Sequence, residues 1–176
     1  MRVRRATAAD AEAFVAVLAT VAEEGRWIGT EPGFDVAERT ARERATIEAG
    51  EARWVLEDDD GAVIGSLGVH PTHARGVLSL GMAIVAPARG RGGGRMLMDT
   101  AMRHVGTTEA HKVELEVWLD NGRAISLYAR YGFEVEGLRR NHYRRRDGSL
   151  RSSLVMARLL SPETVSEGQS RPGAGT

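Results

Sequence analysis

The chain has 176 residues, 24 basic side chains against 24 acidic ones, and no cysteine. That length suits one hydrophobic core, the charge balance argues against bulk attraction to nucleic acid or a membrane surface, and the missing thiols exclude a disulfide framework, a thiolate zinc site and a cysteine nucleophile. No apolar run reaches the roughly 20 residues of a membrane-spanning helix, and the N-terminus lacks the apolar stretch of a signal peptide, so a cytoplasmic location is expected.

Residues 2–6 alternate enough for a first strand. Thr7 or Asp10 can cap the first helix, in which Phe14, Val17, Leu18 and Val21 fall at helical spacing. Gly25, Gly29, Pro32 and Gly33 interrupt residues 24–34, after which Asp35 caps a second helix that stops at Gly50. The period then changes to two. Residues 52–57 and 62–69 read as a hairpin around the turn Asp58-Asp59-Asp60-Gly61, and residues 77–85 as a third strand. A glycine-rich turn over 87–94 leads to a helix over 96–105, with Leu97, Met98, Ala101, Met102 and Val105 on its apolar side. In the strand over 112–119, Val113, Leu115 and Val117 face one way, and Glu114, Glu116 and Trp118 the other. Asn121 caps a helix that Gly132 ends, and residues 133–139 and 150–159 read as two last strands joined by a basic loop. Residues 161–176, with Val165 as their one sizeable apolar side chain, are expected to be a disordered tail beyond a single domain over 1–160. Hairpins first and helical crossovers later predict an α/β (α+β) fold, a mixed sheet with helices on both faces.

The loop Arg89-Gly90-Arg91-Gly92-Gly93-Gly94-Arg95 lies between a strand and a helix. Unbonded N–H groups and the helix dipole favour an anion in that setting, and glycines let the backbone approach it without a Cβ in the way. Arg89, Arg91 and Arg95 add positive charge to the same place. Two nucleotide fingerprints fail: a Rossmann loop starting at Gly90 needs glycine or alanine where Arg95 stands, and a P-loop needs Gly-Lys-Ser/Thr. Glycine content alone also fits a flexible turn, but the strand–loop–helix setting and the arginines point to phosphate.

Val85-x-Pro87-x-Arg89-Gly90-x-Gly92-x-Gly94-x-x-Leu97 resembles the acyl-CoA loop of the GNAT N-acetyltransferase superfamily. Asn121-x-x-Ala124-Ile125-x-Leu127-Tyr128-x-x-x-Gly132-Phe133 resembles its other recurring segment. The resemblance is strong over 82–133 and implies the GNAT fold, with a mostly antiparallel central sheet of about seven strands. It further implies acetyl-CoA as co-substrate, with no metal. The loop amides would hold the pyrophosphate, and Ala83, Ile84 and Val85 the pantetheine arm, one of their N–H groups also meeting the oxyanion. By the same resemblance Asn121 contacts CoA and Tyr128 lies beside its sulfur, where a phenol can protonate the departing thiolate. The absence of cysteine fits direct transfer in a ternary complex.

Glu116, Asn121 and Tyr128 match in spacing the ribosomal-protein alanine N-acetyltransferases, whose glutamate is the proton acceptor; Glu114 is the reserve base, and water can relay the proton. Segment 24–34, with Trp27, Glu31 and Phe34, lies where that superfamily lines its acceptor. Residues 115–159 are similar both to those enzymes and to small amino-acid or phosphinothricin-type acetyltransferases. The expected acceptor is therefore a small-molecule primary amine or a peptide N-terminus. The rival is a non-catalytic acyl-CoA-binding or RNA-associated module.

His70 and His73 form a loop pair without a third metal ligand at suitable spacing. Arg139, Arg140, Arg144, Arg145 and Arg146 are expected to be a solvated loop, and nucleic acid is not an expected partner. A homodimer is an expectation of the superfamily alone, since no apolar stripe marks an interface.

Overall fold

The computed structural model describes residues 1–160; the tail expected over 161–176 lies outside the described residues. Seven strands, β1 (Arg2–Arg5), β2 (Ala52–Glu57), β3 (Val63–Pro71), β4 (Val77–Ile84), β5 (Lys112–Trp118), β6 (Glu134–Arg144) and β7 (Leu150–Leu159), form one sheet. Their order is β1-β2-β3-β4-β5-β7-β6, and every pairing is antiparallel except β4 with β5. The helices are α1 (Ala11–Glu23), α2 (Val36–Glu48), α3 (Gly93–Val105) and α4 (Gly122–Arg130).

Alternation along the strands sends side chains to two layers. Trp54 and Leu56 pack with Leu97 and Met98 of α3, while Val55 between them packs with Ala11 and Phe14 of α1. Tyr128 of α4 and the Val113, Leu115, Val117 face of β5 join the α3 layer. Helices therefore cover both faces. Glu114, Glu116 and Trp118 are left on the face of α1.

The parallel pair is short. β4 and β5 are in register only at Val77↔Lys112, Leu78↔Val113 and Ser79↔Glu114. Both strands continue, Leu80 to Ile84 and Leu115 to Trp118, without pairing to each other. This divergence opens a cleft in the middle of the sheet.

The structure departs from the sequence expectations in two places. The third helix starts at Gly93 rather than at residue 96, so Gly93 and Gly94 form its first turn behind Gly92 at φ 91°. The basic loop is mostly strand: β6 runs to Arg144, with a register break between Arg139 and Tyr143 where Asn141 takes φ 49°. Long-range pairing with β7, which local sequence does not show, extends the strand through the basic residues.

An ion-pair cluster fastens β1 to the start of α1. Arg4 donates both Nη groups to Asp10 at 2.7 Å and its Nε to Glu57 at 2.6 Å, and Asp10 also accepts from the Thr7 amide and hydroxyl. The Arg4 guanidinium, offsetting the burial that opposes it, holds the Asp10 carboxyl well below the usual carboxylate range. A depressed carboxyl contributes stability above its unfolded pKa, and that contribution fades as pH falls toward the folded value. Asp10→Asn is therefore expected to cost about 1–2 kcal/mol at pH 7, since Arg4 is partly exposed. In urea unfolding, the wild-type advantage should shrink between about pH 4 and pH 2.

Candidate active site

The cleft between the diverging strands has a volume of about 890 Å³. At one end stands the glycine loop. Gly90 at φ 79° and Gly92 at φ 91° have open space where a Cβ would go, so they serve the turn. Gly93 and Gly94 serve packing instead: a Cβ on Gly93 would lie 2.5 Å from Leu56 Cδ2, and one on Gly94 3.1 Å from Leu127 Cδ2. The helix can start this close to β2 and α4 only because those side chains are absent. Among the described residues, the amides of Gly90, Arg91, Gly92, Gly93 and Gly94 donate to no protein acceptor. A row of unbonded N–H groups at a helix N-terminus has the electrostatics of an anion cradle.

Arg89 is already engaged. Its guanidinium pairs with Glu24 at 2.5 and 2.6 Å, its Nε donates to the Ile84 carbonyl, and it lies 5.5 Å from the Trp27 ring centre. Trp27 donates its indole N–H to the same Glu24. Arg89 thus ties the glycine loop to segment 24–34, which no local spacing could reveal across 65 residues.

Just past β4 the Val85 amide donates to the Ile64 carbonyl of β3. Antiparallel ladders alternate, so Ala83 pairs inward to Ser66 as well, while Met82 and Ile84 turn their backbone groups toward the cleft. Of Ala83, Ile84 and Val85, it is therefore Ile84 whose N–H faces the opening. Met82 shares that phase, although no sequence motif marked it.

From α4, Asn121 caps the helix by accepting from the Ala124 amide at 3.3 Å, and it lines the cleft. Tyr128, two turns on, also lines it. Burial pushes the Tyr128 phenol up to about 12, and its hydroxyl makes no hydrogen bond to any described residue. It is a protonated donor with no protein partner.

Glu116 reaches the cleft from β5. One carboxylate oxygen pairs with Arg139; the other accepts from the Tyr143 hydroxyl and from Ser153 Oγ. Glu114 lies 4.0 Å from Lys112 and lines only a smaller recess nearby.

Beyond Glu116 the floor is bare sheet. Gly68 and Gly81 face each other in register and line the cleft; open space lies over Gly81, while the Arg53 side chain lies over Gly68, where a Cβ would come within 3.3 Å of it. Phe14, Leu18, Val21, Trp27 and Ile28 wall this end, and Arg39, Glu43, Arg53 and His70 bring polar groups to it. Burial and the neighbouring Arg53 push the His70 imidazole down. Glycine inside a strand, here at 68 and 81, was the available sequence signal of a close approach.

Ala83, Ile84, Arg89, Gly90, Gly94, Glu116, Asn121, Tyr128 and Trp27 thus meet around one cleft. Val85, Arg91, Gly92, Gly93, Arg95, Glu31 and Phe34 do not line it. Glu31 instead pairs with Arg145 at 3.1 Å and accepts from the Arg146 amide. Arg145 also donates to Gly29 O, Arg146 to Pro32 O, and Arg151 to Gly25 O and Arg26 O. Arg145 is buried. The expected solvated loop is therefore corrected in part: Arg145 and Arg146 strap segment 24–34 against the β6–β7 hairpin, while Arg139, Arg140 and Arg144 are exposed. Among the described residues no helix is long and apolar enough to cross a membrane, and no cluster of three or more His, Asp or Glu could hold a metal ion.

The sequence profile of the Acetyltransferase (GNAT) family matches residues 14–133. The fold is similar to a ribosomal-protein-alanine N-acetyltransferase from Brucella melitensis, at TM-score 0.81 and 24% identity over 91% of this chain and 100% of that one. It is similar to a GCN5-related N-acetyltransferase from Kribbella flavida, at TM-score 0.75 and 25% identity over 90% of this chain and 97% of that one. A phosphinothricin acetyltransferase from Sinorhizobium meliloti, in complex with acetyl-CoA, matches at TM-score 0.80 and 22% identity over 95% of this chain and 92% of that one.

Proposed function

Given that the chain belongs to the GNAT acetyltransferase family and is an acetyl-CoA-dependent N-acetyltransferase, we propose that it moves the acetyl group directly to a primary amine held over the open floor at Gly81. The acceptor is a small amino-acid-like molecule or a protein N-terminus. Residues 1–160 are the catalytic domain in this proposal, and the cytoplasm its location. One observation carries it: a single cleft runs from Gly90 and Gly94, the two ends of the row of unbonded amides, to the unpartnered hydroxyl of Tyr128.

Acetyl-CoA supplies an activated acyl carbon and a thiolate leaving group. The amides at the start of α3 would take its pyrophosphate, as their number and lack of partners fit a doubly charged anion. The Ile84 N–H meets the carbonyl oxygen as negative charge develops there. An N–C bond forms as the C–S bond breaks. Tyr128 delivers a proton to sulfur, and the nitrogen gives one up to Glu116 directly or through water. Glu116 is favoured over Glu114 because it alone of the two lines the cleft.

The RNA-associated rival loses support. Arg139, Arg145 and Arg146 are each paired with Glu116 or Glu31, which leaves Arg140 and Arg144 of the basic cluster without an ion pair among the described residues. Acetyl-CoA at 100 times its Kd is expected to raise apparent stability by about 2.7 kcal/mol. A thermal-shift titration checks this, and an unmoved melting temperature refutes the proposal. CoA-thiol release with a panel of amines then separates an enzyme from a binding module.

A further inference from the structure

We propose that the acceptor is a free amino acid with an apolar side chain, and that Arg39 reads its carboxylate; this rests on the acetyltransfer proposal above. Four arginines line the cleft: Arg39, Arg53, Arg89 and Arg123. Arg53 is held by Glu43 at 2.7 Å and Glu51 at 3.3 Å, and Arg89 by Glu24. The side chains of Arg39 and Arg123 make no ion pair or hydrogen bond to any described residue. Arg123 stands in the first turn of α4 beside Asn121, toward the acyl-CoA end. Arg39 stands on α2, one turn before Glu43, which reaches Arg53 where that side chain lies over Gly68.

The carboxylates of the cleft are all matched by cations: Glu43 by Arg53, Glu116 by Arg139 and Asp120 by Arg151. Arg53 also meets Glu51 outside the cleft, and Arg39 is the guanidinium at this end with no carboxylate of its own. An amine that also bears a carboxylate supplies one, and a half-buried guanidinium is suited to bind it in a fork.

A second, independent feature asks for an acceptor atom. Trp118 lines the same cleft at 4% exposure, and its indole N–H is buried without a partner. Native proteins leave few such donors unpaired, and an ordered water or ion is a common resolution. The apolar wall of Phe14, Leu18, Trp27 and Ile28 suits a hydrocarbon side chain. Because Arg145, Arg146 and Arg151 tie that wall down, it is built to enclose a small molecule rather than to part for a polypeptide.

CoA-thiol release should be measured with alanine, leucine and phenylalanine, each as the free acid and as the amide, and with the tripeptide Leu-Ala-Gly. The wild type is expected to favour an acid over its amide by about 10- to 100-fold in kcat/KM, the range for one charge-assisted contact. Arg39→Ala should abolish that preference mainly through KM, and Arg39→Lys should restore part of it. Amides or the tripeptide used as well as the acids, no turnover with any free acid, or a preference that survives Arg39→Ala each overturn the proposal. A wild type whose melting temperature ignores acetyl-CoA overturns the acetyltransfer reading itself. A cofactor shift without acid preference overturns only the role of Arg39.

Discussion

Tyr128→Phe is expected to lower kcat by about 10²- to 10⁴-fold, the usual contribution of a positioned general acid. The change removes one oxygen atom that no described residue hydrogen-bonds, so it leaves no stranded partner in the protein. Stability should stay within about 0.5 kcal/mol of wild type, and the acetyl-CoA thermal shift should persist. That combination separates a proton donor from a core aromatic, whose loss of shape would show in the melting temperature first. The pH profile supplies the sign. With the phenol pushed up to about 12 by burial, Tyr128 stays protonated across the neutral and mildly alkaline range. Wild-type kcat should therefore show no descending limb below about pH 10 from this group. Near-full turnover in Tyr128→Phe would refute its role as the acid.

Gly93→Val is expected to cost about 2–3 kcal/mol, the upper range for overpacking, or roughly 5–10 °C in Tm. A Cβ at this position lies 2.5 Å from Leu56 Cδ2, and Leu56 is fully buried, so its side chain cannot swing into solvent. The helix start must move instead. The amides of residues 92–94 move with it, so the KM for acetyl-CoA should rise in the same variant. Gly90→Ala is the contrast: open space surrounds the new methyl, and the only cost is the strain of φ 79°, about 1–2 kcal/mol. Urea unfolding of both variants, with acetyl-CoA KM alongside, checks the pair of claims.

The sequence made the chain order of strands and helices legible because each element obeys a local period. Leu97, Met98, Ala101 and Val105 face the sheet as their spacing requires, and Asn121 caps α4 as its residue type allows. The glycine loop was legible as a loop, but its four glycines divide the work in a way spacing cannot show. Two supply positive φ and two make room for Leu56 and Leu127, neighbours distant in sequence. Arg89 looked like a phosphate ligand for the same reason that Arg145 looked solvated: their partners Glu24 and Glu31 lie far outside any local window of the sequence. The acceptor end was the least legible part. Its marks are the open space over Gly81 and, in the proposal above, Arg39, which differs from its neighbour Arg53 in having no carboxylate partner.

The three-residue meeting of β4 and β5 also changes how the sheet is exposed to other molecules. A strand pair that parts midway creates two inner margins with unpaired backbone groups, besides the two outer strands. On a sheet's rim such margins invite intermolecular strand pairing. Here they lie inside the sheet rather than on its rim, and Ile84 of β4 and Glu116 of β5 line the cleft between them. Backbone groups so placed can be reached only by a partner narrow enough to enter that cleft.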